Sequence, residues 1–300
     1  MPSAREMRLR IRSVKNIAQV TKALETVSAS KVRRSMLAYT ATKPYADRAW
    51  KLLVHLARQP GGKGVHPLLK ERTEIKNILV VHISSDRGLA GAYNINILRQ
   101  TLDHFEDSTI PLSYVAVGNK GRDLLMRRQK RIIADFSDLP PAPTFADVSA
   151  IGRLVVDEYL SGKVDQVYIA YTEFVSMLKQ IPTVRKLLPL EVIYTGEKNS
   201  LNVTHETHSV FTYEPDENQI LNQIVPRFTA LQVYRCILSA AASEHAARMI
   251  AMRNATDNAH DLIGVLQLEY NNARQQSITN EMLDITSGAE ALTKATPAAG

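Results

Sequence analysis

From Asp216 to Thr293 the chain carries only two glycines, Gly264 and Gly288, and one proline, Pro226, early enough to be absorbed as a kink. So few breakers predict one continuous helix, which at about 1.5 Å per residue would run over ~100 Å. No compact domain needs a helix of that length, so other chain segments must cover it. A second breaker-poor stretch, from Ser3 to about Arg58 with Pro44 as its one proline, can supply part of that cover. Within it Ile17, Val20, Leu24 and Val27 recur at three-four spacing, a narrow stripe expected to meet another helix. The later stretch is dense in alanine at its middle (Ala240, Ala241, Ala242, Ala246, Ala247, Ala251, Ala255, Ala259), which favours helix and lets two backbones approach closely.

Between the two helical stretches the character changes. PGGKGVHP, residues 60–67, ends the first helix. Apolar, β-branched runs at 77–85, 112–118, 131–136 and 164–175 alternate with helical patterns at 94–106, 120–128 and 145–161. Strand and helix in alternation predict a parallel sheet covered by helices, with 183–190 as an edge strand whose Pro182 and Pro189 stand at its ends. Residues 195–209 are polar and aperiodic and read as a loop or hairpin. The expected architecture is α/β: a long antiparallel coiled coil of the N- and C-terminal helices with an inserted Rossmann-like α/β domain. Its parts are a coiled-coil helix at 1–58, the α/β domain at 75–210 and a second coiled-coil helix at 211–300.

Charge is unevenly placed. Residues 1–58 hold 13 Lys and Arg against Glu6, Glu25 and Asp47, a net of +10; with +7 for the whole chain, the remainder carries −3. The first helix should therefore attract something acidic, whether protein, nucleic acid or lipid. No run of about 18 apolar residues could cross a bilayer. The interleaved charges of MPSAREMRLRIRSV do not form a secretory signal, so a cytoplasmic location is expected. The single cysteine, Cys236, excludes an internal disulfide, and no Cys/His spacing fits zinc.

Candidate chemistry is sparse. SSDRGLAGAYN, Ser84 to Asn94, lies after a strand and opens a helix, where a phosphate cradle would sit. It contains neither GxGxxG nor GxxxxGK[ST], so a structural turn is the better reading, with Asp86 and Arg87 free to pair with each other or a neighbouring helix. Gly118 and Gly121 in VGNKGRD read as turn and packing residues. The eight histidines form no HExxH, and no GxSxG is present; no catalytic, cofactor or metal site is expected. The basic cluster Lys31, Arg33, Arg34 would be a solvated face on an isolated helix. On a rod surrounded by partners it would serve against acidic loops. Nucleic-acid binding would call for interleaved aromatics, and Tyr39, Tyr45 and Trp50 come late and sparsely.

The two terminal segments resemble the gamma subunits of F-type ATP synthases, over almost the whole chain. The motifs that carry the resemblance are ITNEMLDITSGAEAL (Ile278–Leu292), EHAARMIAMRNATDNA (Glu244–Ala259), YNNARQQSIT (Tyr270–Thr279), RIRSVKNIAQVTKALETVSASKVRRS (Arg10–Ser35) and the loop SSDRGLAGAYN. The resemblance implies a non-catalytic central rotor shaft. It would transmit torque between a proton-driven c-ring of the membrane sector and a catalytic head of alpha and beta subunits, with an epsilon subunit as a further partner. It also implies a peripheral location at the cytoplasmic face of a bacterial membrane, without membrane insertion, nucleic acid or cofactor. Carried over position by position, Lys31, Arg33 and Arg34 would face an acidic loop of beta. Arg274 and Gln275 would bond a catch loop, and Leu24, Arg248, Thr279, Glu281 and Asp284 would lie at or be coupled to that interface. Ala90 stands where many relatives have cysteine, and the cysteine-bearing chloroplast insertion is missing, so thiol control is not expected. Two rival classes make different predictions. An α/β enzyme with coiled-coil arms should bind nucleotide through Asp86 to Asn94, and a nucleic-acid adaptor should bind DNA or RNA in a steeply salt-dependent way.

Overall fold

The computed structural model describes residues 4–58, 66–140, 142–190 and 217–295. The elements follow in the order α1 (Ala4–Arg58), a 3-10 turn (Pro67–Leu69), β1 (Ile78–Ile83), α2 (Tyr93–His104), β2 (Leu112–Val117), α3 (Asn119–Arg127), β3 (Arg131–Phe136), α4 (Phe145–Leu160), β4 (Gln166–Phe174), β5 (Gln180–Leu188) and α5 (Glu217–Ala295). Pro44 and Pro226 both lie inside continuous helices. The polar stretch at 195–209 and most of the breaker at 60–67 lie outside the described residues. Two compact units emerge, residues 28–249 and residues 1–27 with 250–300.

In the first unit the strands run β3-β2-β1-β4-β5. The first four are parallel and β5 is antiparallel to β4. β1 is buried at every position, as a central strand covered on both faces requires. Its alternate residues serve two cores. Leu79, Val81 and Ile83 join Val115, Val167 and Ile169 under α4 (Val148, Ile151, Val155), α5 (Phe228, Leu231, Leu238) and Leu53 of α1. Ile78 and Val80 join Tyr114, Ala170 and the helices α2 (Ile97, Leu98) and α3 (Leu125) on the other face. α4 and α5 approach so closely that a Cβ added at Gly152 would lie 2.6 Å from that of Ala230. α4 opens with a reciprocal capping box, Thr144 and Asp147, each satisfying the other's backbone N–H. Pro182, expected at the end of the edge strand, is its third residue. It is accommodated because β5 pairs on one side only.

Within the same unit α1 and α5 run antiparallel. Arg235 meets Tyr39, and further along α1 Trp50 stacks on Phe228, earlier in α5. In the other unit Met7 and Ile11 of α1 pack with Leu266 of α5, flanked by Val14, Ile263 and Tyr270. Thr21 Oγ1 lies 2.7 Å from Thr256 Oγ1, again with opposite chain directions. The covered positions of α1 recur at alternating steps of four and three: 7, 11, 14, 18, 21, 25, 28, 32 and 35. That period is a coiled-coil seam.

The seam corrects one expectation. Of the stripe Ile17, Val20, Leu24, Val27, three members turn outward and Leu24 is half-buried; each sits one residue before a seam position, about 100° away around the helix. Ile17, Val20 and Val27 are 52%, 59% and 51% exposed. Ala18, Thr21, Glu25 and Ser28 take their place. Small and hydroxyl-bearing side chains allow close helix approach, and the Thr21 and Thr256 hydroxyls also bond the carbonyls of their own turns, while the buried Ser35 hydroxyl has no partner among the described residues.

Candidate interaction surface

An open α/β sheet places its ligand crevice at the carboxyl ends of the strands where the strand order reverses, here between β1 and β4. In this chain α5 fills that place. Ser239 Oγ accepts from the Phe174 N–H at 3.0 Å, and Ser243 Oγ donates to Thr172 O at 3.1 Å, both at the end of β4. Beyond β1, the carbonyls of Arg87 and Gly88 accept from Arg248 at 3.3 and 3.2 Å.

The strand-to-helix turn from β2 into α3 is likewise occupied, by a side chain of the 84–94 loop. The Asp86 carboxylate accepts from the Asn119 N–H at 3.0 Å, at the first residue of α3, and from the Asp138 N–H at 3.1 Å. A carboxylate thus already stands at the positive end of that helix. Ser84 Oγ bonds the carbonyls of Val117 and Gly118 and accepts from the Gly121 N–H. Gly118 has φ 97°, and a Cβ there would lie 2.5 Å from Ser84 O, so glycine is required by both conformation and space. Asp86 and Arg87 therefore do not pair with each other: the first caps α3, and the second lends its carbonyl to α5.

Two enclosed groups of the unit are held uncharged by burial. His82, fully enclosed, has its imidazole pushed down to about 4, and the Cys236 thiol is pushed up to about 12. Among the described residues no cluster of three or more His, Cys, Asp or Glu could hold a metal ion.

The residues expected to contact partners fall into three groups. Arg33 and Arg34 are exposed on α1, while Leu24 and Lys31 are half-buried. Arg274, Gln275, Thr279, Glu281 and Asp284 all lie on α5 beyond Tyr270. Residues 274–290, a stretch of α5 beyond the packing of Leu266 with Met7, are exposed throughout. The Thr279 hydroxyl donates to Gln275 O on its own helix at 2.9 Å. Arg248 stands apart. Its side chain is 11% exposed and donates to Gly88 O, Arg87 O and, at 2.7 Å, to Glu244 Oε1.

Sequence reasoning passed over the apolar members of the bare stretch. Ile278, Met282, Leu283 and Ile285 are 49%, 61%, 59% and 72% exposed. The spacing 278, 282, 285 puts three of them on one helical face, a signal that was available once the two helices were counted against each other. Exposed apolar rows of this kind mark surfaces that a partner covers.

Comparison with known proteins settles the family. Residues 3–292 match the family model described as ATP synthase. The ATP synthase gamma chain of Dehalococcoides mccartyi (strain CBDB1) is 43% identical over 293 residues, covering 97% of this chain and 100% of the relative. The chain belongs to the ATP synthase gamma chain family. The gamma chain of Chloroflexus aurantiacus (strain ATCC 29366 / DSM 635 / J-10-fl) is 41% identical over 297 residues, covering 98% of this chain and all of that one. Among solved structures, a chain of the Euglena gracilis mitochondrial ATP synthase (OSCP/F1/c-ring, rotational state 3) superposes with a TM-score of 0.67 at 20% identity, covering 99% of this chain and 97% of that one. A chain of the Tetrahymena thermophila central stalk/c-ring structure gives 0.60 at 24% identity, covering 79% and 99%. The fold of long terminal helices around a central sheet is thus the gamma chain fold, and the chain is a component of ATP synthase. None of its described helices is long and apolar enough to cross a membrane.

Proposed function

We propose that this gamma chain is the central rotor shaft of an F-type ATP synthase, a non-catalytic part that carries torque between the c-ring and the alpha/beta head. Residues 1–58 and 211–300 form the shaft, residues 75–210 form the foot that engages the c-ring and epsilon subunit, and the assembly lies at the cytoplasmic face of the membrane. The observation that carries this reading is the bare stretch of α5 with Ile278, Met282 and Ile285 exposed on one face. Helical stability comes mostly from packing of an apolar face, and an exposed apolar row marks a surface that a partner covers. The basic face of α1, with Arg33 and Arg34 outward, supports acidic surroundings there. A stiff rod with small and charged side chains also suits contacts that must shift without locking.

In this role Lys31, Arg33 and Arg34 meet an acidic loop of beta, Arg274 and Gln275 bond a catch loop, and Leu24, Thr279, Glu281 and Asp284 line the same interface. Reconstitution with alpha and beta subunits tests the proposal: the chain should be needed for a stable, cooperative ATPase, and full activity without it would refute the rotor role. Arg274→Ala should weaken the coupling of hydrolysis to proton pumping far more than Arg58→Ala, at the end of α1. Equal effects would reject the contact assignments. The rival nucleotide-binding reading is disfavoured by α5 in the strand crevice.

A further inference from the structure

α5 is tied to the α/β layer at successive turns. Tyr234 Oη donates to Pro143 O at 3.0 Å, Ala240 O accepts from Tyr93 Oη at 3.1 Å, and the Ser239 and Ser243 hydroxyls bond the end of β4. Arg248 is the last of these ties along the chain, one residue before the compact unit ends at Met249. Its Nε and one Nη grasp two successive carbonyls, Gly88 and Arg87, while Glu244, one turn back, holds the same guanidinium at 2.7 Å. The other Nη lies 3.1 Å from His245 Nδ1. Burial raises the pKa of the Glu244 carboxyl above its ordinary value, and Arg248 opposes that rise only in part.

The apolar core between α5 and the sheet is large, but apolar contact is non-directional. It resists separation better than it resists slip or roll of a smooth helix. A planar guanidinium fork on two carbonyls is directional, and its ion pair with a half-buried carboxylate fixes where the fork points.

We infer that Arg248 is a positioning residue, which with Glu244 pins the 84–94 loop to α5 in the strand crevice so that rotation passes between foot and shaft without slack. It serves the joint inside this chain, where the family resemblance had put it at the beta interface. The inference rests on the rotor reading, and its test separates the two.

The assay uses the assembled enzyme carrying Arg248→Ala, Arg248→Lys or Glu244→Gln. Three quantities are read: amide hydrogen exchange of residues 84–94, ATPase of the head with this chain alone, and ATP-driven proton pumping of the whole complex. In Arg248→Ala, exchange in the loop should rise about tenfold, as expected when the fork and its ion pair are lost. The ATPase of the head should stay within about twofold, because that reaction needs no foot, while pumping per ATP falls several-fold. Arg248→Lys, which keeps the ion pair and one carbonyl, should recover part of the pumping. Glu244→Gln should move exchange and pumping in the same direction by less, and it serves if the alanine variant assembles poorly. Unchanged loop exchange, or an ATPase that falls in step with pumping, would overturn the inference and return Arg248 to the subunit interface. Failure of the rotor reading looks different, since the unaltered chain would then neither assemble with alpha and beta nor support pumping.

Discussion

His82 shows how far one enclosed side chain can set the acid limit of the fold. Its Nδ1 lies 3.3 Å from Thr101 Oγ1, whose own proton goes to Ile97 O, and its Nε2 has no partner. Burial lowers its pKa to about 4. The unfolded chain takes up a proton near pH 6.5 and the folded chain only near 4, so between those values the unfolded state binds more protons. Stability is therefore complete above 6.5 and drains away as pH falls to 4, by up to about 3 kcal/mol. Urea unfolding as a function of pH should show this slope, and His82→Gln should lack it. Asp165 acts in a lower window. Burial opposes its ionisation, but Arg72 and the N–H groups of Lys76 and Asn77 outweigh that and hold its carboxyl below the ordinary carboxylate range. Its contribution is lost only as pH falls through that lowered value. Neither residue was legible in the sequence. His82 lies in an apolar run that reads as a strand, but burial depth depends on α2 and α3 closing over it. Asp165 depends on Arg72, 93 residues away.

Helices and strands were far easier to read than the faces they present. The alternation of β-branched runs with helical patterns located all five strands to within a few residues, because local period and breakers decide element type. The coiled-coil seam was misplaced by one residue, because the reading favoured bulky apolar side chains, whereas close packing of two long helices favours Ala18, Thr21 and Ser28. The displaced row makes a prediction. Ile17→Gln, Val20→Gln and Val27→Gln together should leave the isolated chain's unfolding within about 1.5 kcal/mol, since exposed substitutions each cost under about half a kcal/mol. The same triple variant should assemble poorly with alpha and beta subunits, measured as yield of intact complex. Strong destabilisation of the isolated chain would mean that the row packs internally.

For the molecule as a whole, charge asymmetry governs association. The +10 of residues 1–58 against −3 elsewhere predicts that salt slows encounter with an acidic head more than it loosens the finished complex. From low salt to about 0.5 M the association rate should fall about tenfold or more while dissociation changes little, as stopped-flow binding would show. Comparable changes in both rates would argue against electrostatic steering. The partner surface was only partly legible in the sequence. The resemblance pointed to charged residues, while the apolar row at 278, 282 and 285 emerged only from its exposure on α5. Asp86 carries a consequence of a different kind. In the proposed role the chain stands among subunits that exchange ATP and ADP, where bare amides at a strand-to-helix turn would compete for the same phosphates. A carboxylate of its own caps the turn from β2 into α3, so phosphate meets a like charge there.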